Sequence, residues 1–442
     1  MLSQFFHASE TSVTLFTVGI ALAAGLLLSR LAKKLNLPAV TAYLIAGILV
    51  GPYCLGALEI PGLGFTSMEN VKTFDLLADC ALGFIGFTIG NEFRLSQLKS
   101  TGKTATVIAF AEALMSLFVV DIALVALHFA FPAVITLPVA LIMGAIATAT
   151  APAATLMVVK QYKAKGQLTD LLMPIVALDD AIGLMAFAIS FGVAKSLDSG
   201  NVDLFSVIAE PVLEVVFSLV LGGAMGFLFN FCERFFKSNS KRLSVSITFV
   251  LFTVAISMLS FNIGRLHVSF SSLLVCMMLG TVFCNCCDFS EELMARADRW
   301  TAPLLIFFFV QSGAALDFNV FRDSTVVVVG LIYIFMRCVG KYFGTYAGCK
   351  LMKCDKKVSR ELGITMFPQA GVALGMSLLA ENEFGAQGAI IRNITLFGIL
   401  IYELVGPSMT RGALVRSGDI EIKKVTERSV GPTHNHIINR NK

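Results

Sequence analysis

Two adjacent aspartates, Asp179 and Asp180, lie inside the apolar run PIVALDDAIGLMAFAIS, residues 174–190. A charged side chain at the centre of a membrane costs about 2.5–3.5 kcal/mol on insertion scales, so such residues usually face a cavity and mark an ion path. A buried carboxylate can bind a metal cation or a proton, and the two compete for the same oxygens. Neighbours on a helix point about 100° apart, so one aspartate can face a cavity while the other faces a partner.

The best candidate partner is a basic pair in YIFMRCVGKYFGTYAG, residues 333–348. Arg337 and Lys341 lie four residues apart, which places them on one helix face. A desolvated lysine can lose its proton whereas arginine stays charged, so Lys341 is the switchable ion-pair candidate and Arg337 the fixed one. Gly340, Gly344 and Gly348 form a small-residue stripe along the same helix, which allows another helix backbone to approach closely.

Prolines interrupt two other apolar segments, IATATAPAATLMVV at Pro152 and ITMFPQAGVALGMS at Pro368. A proline removes a backbone donor and frees carbonyl oxygens one turn earlier. Where two such broken helices cross near the membrane midplane, unwound carbonyls and helix ends can coordinate an ion. We expect Thr148 and Thr150 to add hydroxyl oxygens at the first break and Gln369 to add an amide at the second.

Five further acids fall within apolar segments: Asp75, Asp79, Glu112, Asp121 and Glu403. Asp75 and Glu403 can reach a membrane surface. The sequence gives Asp79, Glu112 and Asp121 no partner, and we expect each of them to be a structural hydrogen-bonding acid rather than an ion carrier.

The elements that must position these residues are membrane spans. The 442 residues are 56% hydrophobic and only 14% charged, and the mean hydropathy is +0.80. Apolar stretches of about 17–25 residues recur along nearly the whole chain, and each can cross a bilayer as a helix. We predict an all-α polytopic membrane protein with about thirteen transmembrane helices, near 11–31, 38–53, 70–91, 102–129, 135–160, 168–194, 205–232, 243–263, 267–284, 300–316, 324–351, 360–380 and 387–411.

Lysine and arginine separate cleanly between alternate loops. One set contains clusters such as KK at 33–34, KAK at 163–165 and KCDKK at 353–357. The other set has isolated residues, namely Lys72, Lys195, Arg265, Arg322 and Arg392. Cytoplasmic loops are enriched in these cations, so we predict a plasma-membrane protein with its N-terminus outside and its C-terminus in the cytoplasm.

The two prolines lie seven predicted spans apart, and an odd offset makes the two segments enter the membrane from opposite sides. The offset predicts inverted repeats at about 11–194 and 243–411, joined by a linker helix at about 205–232. Residues 1–411 would form the transmembrane domain and residues 412–442 a short cytoplasmic tail. Cys284, Cys286 and Cys287 have no histidine nearby and cannot complete a four-ligand metal site. We expect no cofactor and no nucleic-acid partner.

An ordered set of motifs resembles the cation:proton antiporter-2 family of sodium/proton and potassium/proton exchangers. The motifs are TATAPAATLMVVKQYKAKGQLTD, VALDDAIGLMAFAI, FFFVQSGAALDF, RCVGKYFGTYAG and FPQAGVALGMSLLA. The resemblance covers almost the whole chain. It implies a sodium/proton antiporter-like fold with two crossed discontinuous helices, in which a six-helix core moves like an elevator against a dimerisation domain of a homodimer. It also implies that Asp180 is the essential cation- and proton-binding aspartate, Asp179 its acidic neighbour and Lys341 the lysine that pairs with that neighbour.

These features predict a secondary active antiporter rather than an enzyme. The adjacent Asp–Asp pair is similar to electrogenic sodium/proton members and favours Na⁺ or Li⁺ as the cation. A K⁺/H⁺ antiporter stays open, because Gln369 stands where many relatives carry a charged residue. A sodium-coupled organic anion symporter shares the broken helices but does not need the acid pair and the lysine. An aspartyl protease needs carboxylates that converge from different segments, and adjacent residues on one helix diverge.

Overall fold

The computed structural model describes residues 9–420 except positions 36, 93, 131, 133–134, 152–154, 156–157, 160, 199–203, 237, 264–265, 269 and 288–289. The described residues are almost entirely helical, which confirms the predicted helical membrane architecture. Seven of the described helices are long and apolar enough to cross a membrane. Shorter apolar helices lie at Leu137–Ile146 and Ser272–Cys286. The count of thirteen spans and the division into repeats stay predictions.

Up to residue 146, the described residues form six helices, with a 3₁₀ turn at Leu55–Leu58. They are α1 (Glu10–Lys34), α2 (Ala39–Val50), α3 (Met68–Lys72), α4 (Asp75–Glu92), α5 (Leu95–Ala130) and α6 (Leu137–Ile146). Ser9 caps α1 by accepting a hydrogen bond from the Ser12 N–H at 3.2 Å, and Lys33 and Lys34 occupy its last turn. The predicted span at 70–91 is thus a short helix, a turn and a longer helix. Helix α5 contains a kink at Gly102, whose φ is 75°.

From residue 167 to residue 417, the described residues form eight further helices and one small hairpin. The helices are α7 (Gln167–Asp198), α8 (Leu204–Glu233), α9 (Asn239–Ser257), α10 (Ser272–Cys286), α11 (Ser290–Ala314), α12 (Ser324–Leu351), α13 (Lys356–Glu361) and α14 (Gly371–Ser417), with a 3₁₀ helix at Leu362–Met366. Helix α14 covers two predicted spans across a kink at Gly385, where φ is 54°. It reaches Ser417, beyond the predicted end at 411.

The hairpin is a departure from the all-helical prediction. Strands β1 (Phe261–Ile263) and β2 (Leu266–Val268) pair antiparallel between α9 and α10, with Phe261 opposite Val268. In the sequence a Gly-Arg dipeptide separates the two strands, and two-residue connections containing glycine favour hairpins. The predicted spans at 243–263 and 267–284 are therefore shortened at their facing ends.

The outer surface of the helices is apolar, as a lipid-facing surface must be. Large hydrophobic side chains such as Phe16, Leu27, Ile122, Phe227 and Phe335 are each more than half exposed. In water such a surface would drive association, but in a bilayer it contacts lipid tails. A cluster of charged side chains, namely Glu112, Asp179, Arg337 and Lys341, is buried between α5, α7, α12 and the two interrupted segments.

Candidate functional site

The glycine stripe of α12 packs directly against α5. A Cβ added at Gly340, Gly344 or Gly348 would lie 2.6, 2.8 and 2.8 Å from the Cα atoms of Ser116, Glu112 and Ile108, respectively. Side chains larger than hydrogen would therefore separate the two backbones. The close approach places Glu112 beside Lys341, three residues before Gly344 on α12.

Lys341 is fully buried and lies at the centre of a polar cluster. Its Nζ forms ion pairs with Asp179 Oδ2 at 2.9 Å and with Glu112 Oε1. The same Nζ donates to Thr150 Oγ1 at 2.8 Å and to the Thr148 carbonyl. An ammonium group has three protons, and four oxygens surround this one. The cluster therefore offers Lys341 alternative partners.

The acid pair lies in the middle of α7. Asp179 is fully buried, and its Oδ1 accepts no hydrogen bond from the part of the chain that the structure describes. Asp180 follows it in the same helix, but its side chain lies outside the described residues. Helix α7 passes close to the first break, because a Cβ on Gly183 would lie 2.7 Å from Thr148 Oγ1.

Two interrupted segments meet next to this cluster. Helix α6 ends at Ile146, and Thr155 is again helical, while the second interruption separates the 3₁₀ helix ending at Met366 from α14. Residues 147–151 and 367–370 are not helical. The Ala151 N–H donates to the Pro368 carbonyl at 2.8 Å. Backbone groups freed in one segment are thus satisfied partly by the other.

Side chains add to the contact between the two breaks. Gln369 Nε2 donates to the Ile146 carbonyl at 2.8 Å, and Thr150 Oγ1 is 3.4 Å from the Met366 carbonyl. The sequence places Thr148, Thr150, Pro368 and Gln369 at the breaks, and the structure brings these four together. Pro152 lies outside the described residues.

Arg337 binds carbonyl oxygens of both breaks. The buried guanidinium donates to the carbonyls of Ala147 at 3.1 Å, Ala149 at 2.6 Å and Phe367 at 2.7 Å. Its Cζ also lies 4.6 Å from the centre of the Tyr402 ring, within cation–π distance. The sequence predicts Arg337 as a fixed ion-pair partner of the acids, but its described partners are carbonyl oxygens. Broken helices expose several such oxygens, and the fork of a guanidinium can bind them together.

The sequence pattern offers Glu112 no partner and predicts a structural hydrogen-bonding acid, but the structure pairs it with the ammonium of Lys341. The only sequence signal for Glu112 is the run of small residues on α5, namely Ala105, Ala109, Ala113 and Ser116, which matches the α12 stripe. Glu403 does not use its possible route to a membrane surface, because its side chain is 1% exposed. Asp75 accepts a hydrogen bond from Gln311 Nε2 at 3.1 Å.

A polytopic helical protein in which two interrupted segments meet beside a buried ammonium–carboxylate cluster has the architecture of a secondary ion transporter. The chain belongs to the sodium/hydrogen exchanger family, because the family profile "Sodium/hydrogen exchanger, transmembrane" matches residues 18–416.

The relatives that follow are distant in sequence. The chain is 23% identical over 346 residues to cation/H⁺ antiporter 19 of Arabidopsis thaliana, a match that covers 77% of this chain and 42% of the plant protein. It therefore spans less than half the length of that relative. It is 25% identical over 413 residues to the Na⁺/H⁺ antiporter NhaS4 of Synechocystis sp., covering 90% of this chain and 94% of that one. Its fold is similar to that of the sodium proton antiporter MjNhaP1 from Methanocaldococcus jannaschii at pH 8, with a TM-score of 0.70 and 17% identity over 90% of this chain and 97% of the other.

Proposed function

We propose that this protein is a secondary active antiporter that exchanges a monovalent cation, Na⁺ or Li⁺, for protons by alternating access. The observation that carries the proposal is Lys341, a buried ammonium bound by two carboxylates where two interrupted segments meet. Family membership supports the reaction class, and the names of the relatives, a cation/H⁺ antiporter and a Na⁺/H⁺ antiporter, support the ions.

The charges of the cluster favour competition between a cation and a proton. One ammonium and two carboxylates leave one negative charge uncompensated when both acids are ionised. Arg337 adds one positive charge and Asp180 adds one negative charge, so the net charge of the site is still one negative charge. An uncompensated charge in a low-dielectric site costs several kcal/mol, so the cluster gains stability by binding either a cation or a proton.

Each residue then has a distinct proposed role. Asp180 binds the cation and, in its absence, a proton, while Asp179 pairs with Lys341. Thr148, Thr150 and Gln369, together with carbonyls near Pro152 and Pro368, supply neutral oxygens at the breaks, and Arg337 holds the breaks together. No resident cofactor takes part.

Glu112 adds a step to this scheme. When Asp179 turns from Lys341 to an arriving cation, Glu112 keeps the ammonium paired, so no isolated buried charge is created. The loss of protons from both the Asp pair and the lysine cluster allows more than one proton per cation. We propose that exchange is electrogenic for this reason.

A transport assay with three different cations tests the proposed exchange reaction. Purified protein in liposomes with an imposed pH gradient receives Na⁺, Li⁺ or K⁺, with and without a clamped membrane potential. We expect Na⁺ and Li⁺ to dissipate the gradient and the rate to depend on the potential. If none of the three ions acts between about pH 6 and 9, the antiporter proposal is wrong. A response to K⁺ alone would favour the K⁺/H⁺ alternative.

A matched pair of variants tests the site. Asp180→Asn should abolish the response, because an amide cannot lose a proton to water and bind a cation as a carboxylate does. Asp198→Asn, at the exposed end of the same helix, should leave it unchanged. An active Asp180→Asn variant would move the carrier role to another residue.

The assembly and orientation are further parts of the proposal. We infer a homodimer in the plasma membrane, with the N-terminus outside and the basic loops in the cytoplasm. The lysine and arginine asymmetry supports the orientation, and the resemblance to the cation:proton antiporter-2 family supports the dimer.

A further inference from the structure

The segment that follows α12 carries an unusual density of cations. Five lie within residues 350–360, and all five are exposed: Lys350, Lys353, Lys356, Lys357 and Arg360. Among the described residues none of them forms an ion pair with a carboxylate. Arg416, at the end of α14, points to the same region and is bound to Glu361 at 2.8 Å.

These cations line a cavity rather than a flat surface. A pocket of about 800 Å³ is lined by Lys356, Lys357, Arg360 and Arg416, and its lining also includes Phe367 and one carboxylate, Glu361, which is paired with Arg416. A second pocket of about 670 Å³ adjoins it, sharing Lys356 and Arg360 and adding Lys350 and Lys353. Volumes of this size accommodate a small organic ligand. Several cations converging on one cavity suit an anion with multiple charged oxygens, because a guanidinium fork and ammonium groups both bind phosphate.

Membrane orientation alone does not account for this arrangement. The orientation of a membrane protein depends on the number of lysines and arginines in a loop, not on whether they surround a cavity. The unpaired cations repel one another in the folded protein, and a bound anion would relieve that repulsion.

The position of the pocket points to lipid as the source of the anion. Its second lobe is lined by Phe343 and Tyr346, which are 54% and 39% exposed on α12. Leu351, at the end of the same helix, is 71% exposed. Exposed apolar and aromatic side chains at the end of a membrane helix mark the depth at which tails give way to headgroups. The cations therefore lie where a lipid phosphate would lie.

We propose that this pocket binds a phosphate-bearing anion and that the anion is the headgroup of an acidic phospholipid, whose tails pack along Phe343 and Tyr346. Basic pockets between membrane helices bind such headgroups through the same chemistry. The site is linked to the candidate ion site, because the Phe367 carbonyl accepts a hydrogen bond from Arg337. A bound lipid would thus contact the segment that forms the second break.

The test measures lipid binding by the full chain in neutral detergent, without any need for transport. Phosphatidylglycerol is titrated while the thermal unfolding midpoint is followed. The pocket variant is Lys356→Gln/Lys357→Gln/Arg360→Gln, and the control is Arg30→Gln/Lys33→Gln/Lys34→Gln, which removes the same charge from exposed positions at the end of α1. We expect the apparent Kd to rise about 100-fold in the pocket variant, at about fivefold per cation, and less than about twofold in the control. Equal losses in the two variants would overturn the proposal, because they would show general attraction to an acidic surface.

Two further measurements identify the source of the bound phosphate group and control for misfolding of the variants. Inorganic phosphate at the same concentration should leave the wild-type midpoint unchanged. A phosphate shift that the pocket variant loses, with no additional shift from phosphatidylglycerol, would overturn the lipid assignment. Arg360→Gln alone removes one charge with little risk to folding, and we expect about a fivefold weaker affinity. An unchanged affinity in this single variant would also contradict the pocket.

Discussion

Lys341 determines the balance of charge in the candidate site. Among the described residues, its ammonium is the cation that contacts Glu112 and Asp179, and all three side chains are fully buried. Two buried carboxylates this close to one another repel unless a cation lies between them. The lysine is therefore both a stabilising residue and a competitor of the transported ion for Asp179.

Removal of Lys341 should destabilise the protein. We expect Lys341→Met to lower the free energy of unfolding by about 3–5 kcal/mol, because it leaves two buried carboxylates without their counter-charge. Chemical unfolding in detergent measures the effect, with Lys34→Met on the exposed end of α1 as the control. The double variant Lys341→Met/Glu112→Gln should recover part of the loss. Strictly additive effects would show that the two residues do not interact.

Removal of Glu112 should affect ion binding more than folding. In Glu112→Gln the ammonium of Lys341 depends on Asp179 alone among the carboxylates that the structure describes. A cation must then displace a more firmly bound lysine, and a hydrogen bond to a charged group is worth about 1.5–3 kcal/mol. We expect the KM for Na⁺ to rise at least tenfold in liposomes, whereas Glu69→Gln, exposed in α3, leaves it unchanged. An unchanged KM in Glu112→Gln would remove Glu112 from the exchange step.

At the scale of elements, the α5–α12 contact is what brings Glu112 to the site. Gly344 and Gly330 lie on the same helix, but a Cβ on Gly344 would lie 2.8 Å from Glu112 Cα, whereas one on Gly330 would meet nothing nearer than 3.6 Å. We expect Gly344→Ala to cost about 1–3 kcal/mol through overpacking. Gly330→Ala should be neutral or stabilise the helix by up to about 1 kcal/mol. Unfolding midpoints of the two variants provide the comparison, and equal midpoints would show that the stripe does not set the helix spacing.

The elements differ in how far the sequence could predict them. Apolar length alone gives the span 324–351, which coincides with α12 (Ser324–Leu351). Two prolines indicate the breaks, because their effect on a helix is local. The hydrophobic pattern does not predict the hairpin of β1 and β2, since a short apolar run does not distinguish a strand from a helix end.

The contacts between elements were harder to predict. The glycine stripe shows that some helix packs against α12, but hydropathy does not say which one, so Glu112 had no partner. Arg337 was placed on the correct face, yet its carbonyl partners depend on the path of two non-helical segments. Such long-range contacts depend on how the elements pack, and the local periodicity of the sequence does not predict them.

At the scale of the whole molecule, alternating access requires one part of the protein to move against another. We propose that the interrupted segments belong to the moving part, as the resemblance to the cation:proton antiporter-2 family implies. Two ion pairs join α14 to other helices, one to α3 and one to α7. Lys72, at the end of α3, lies 3.9 Å from Glu381 of α14, and Lys195, near the end of α7, lies 2.6 Å from Glu383 of α14. Helices α7 and α14 both contribute to the candidate site region, whereas α3 does not.

These two ion pairs allow the motion to be tested with matched cross-links. Cysteine pairs at positions 72 and 381, or at 195 and 383, are introduced into a variant that lacks the ten native cysteines, and each is joined by a short bifunctional reagent. We expect the 72–381 cross-link to abolish Na⁺/H⁺ exchange, because it fixes α3 to a helix that must slide past it. The 195–383 cross-link should leave exchange largely intact, because it joins two elements that move together. Reduction of a cleavable reagent should restore the 72–381 variant. Equal inhibition by both cross-links would contradict a rigid core, and full activity of the cross-linked 72–381 variant would contradict movement of α14 relative to α3.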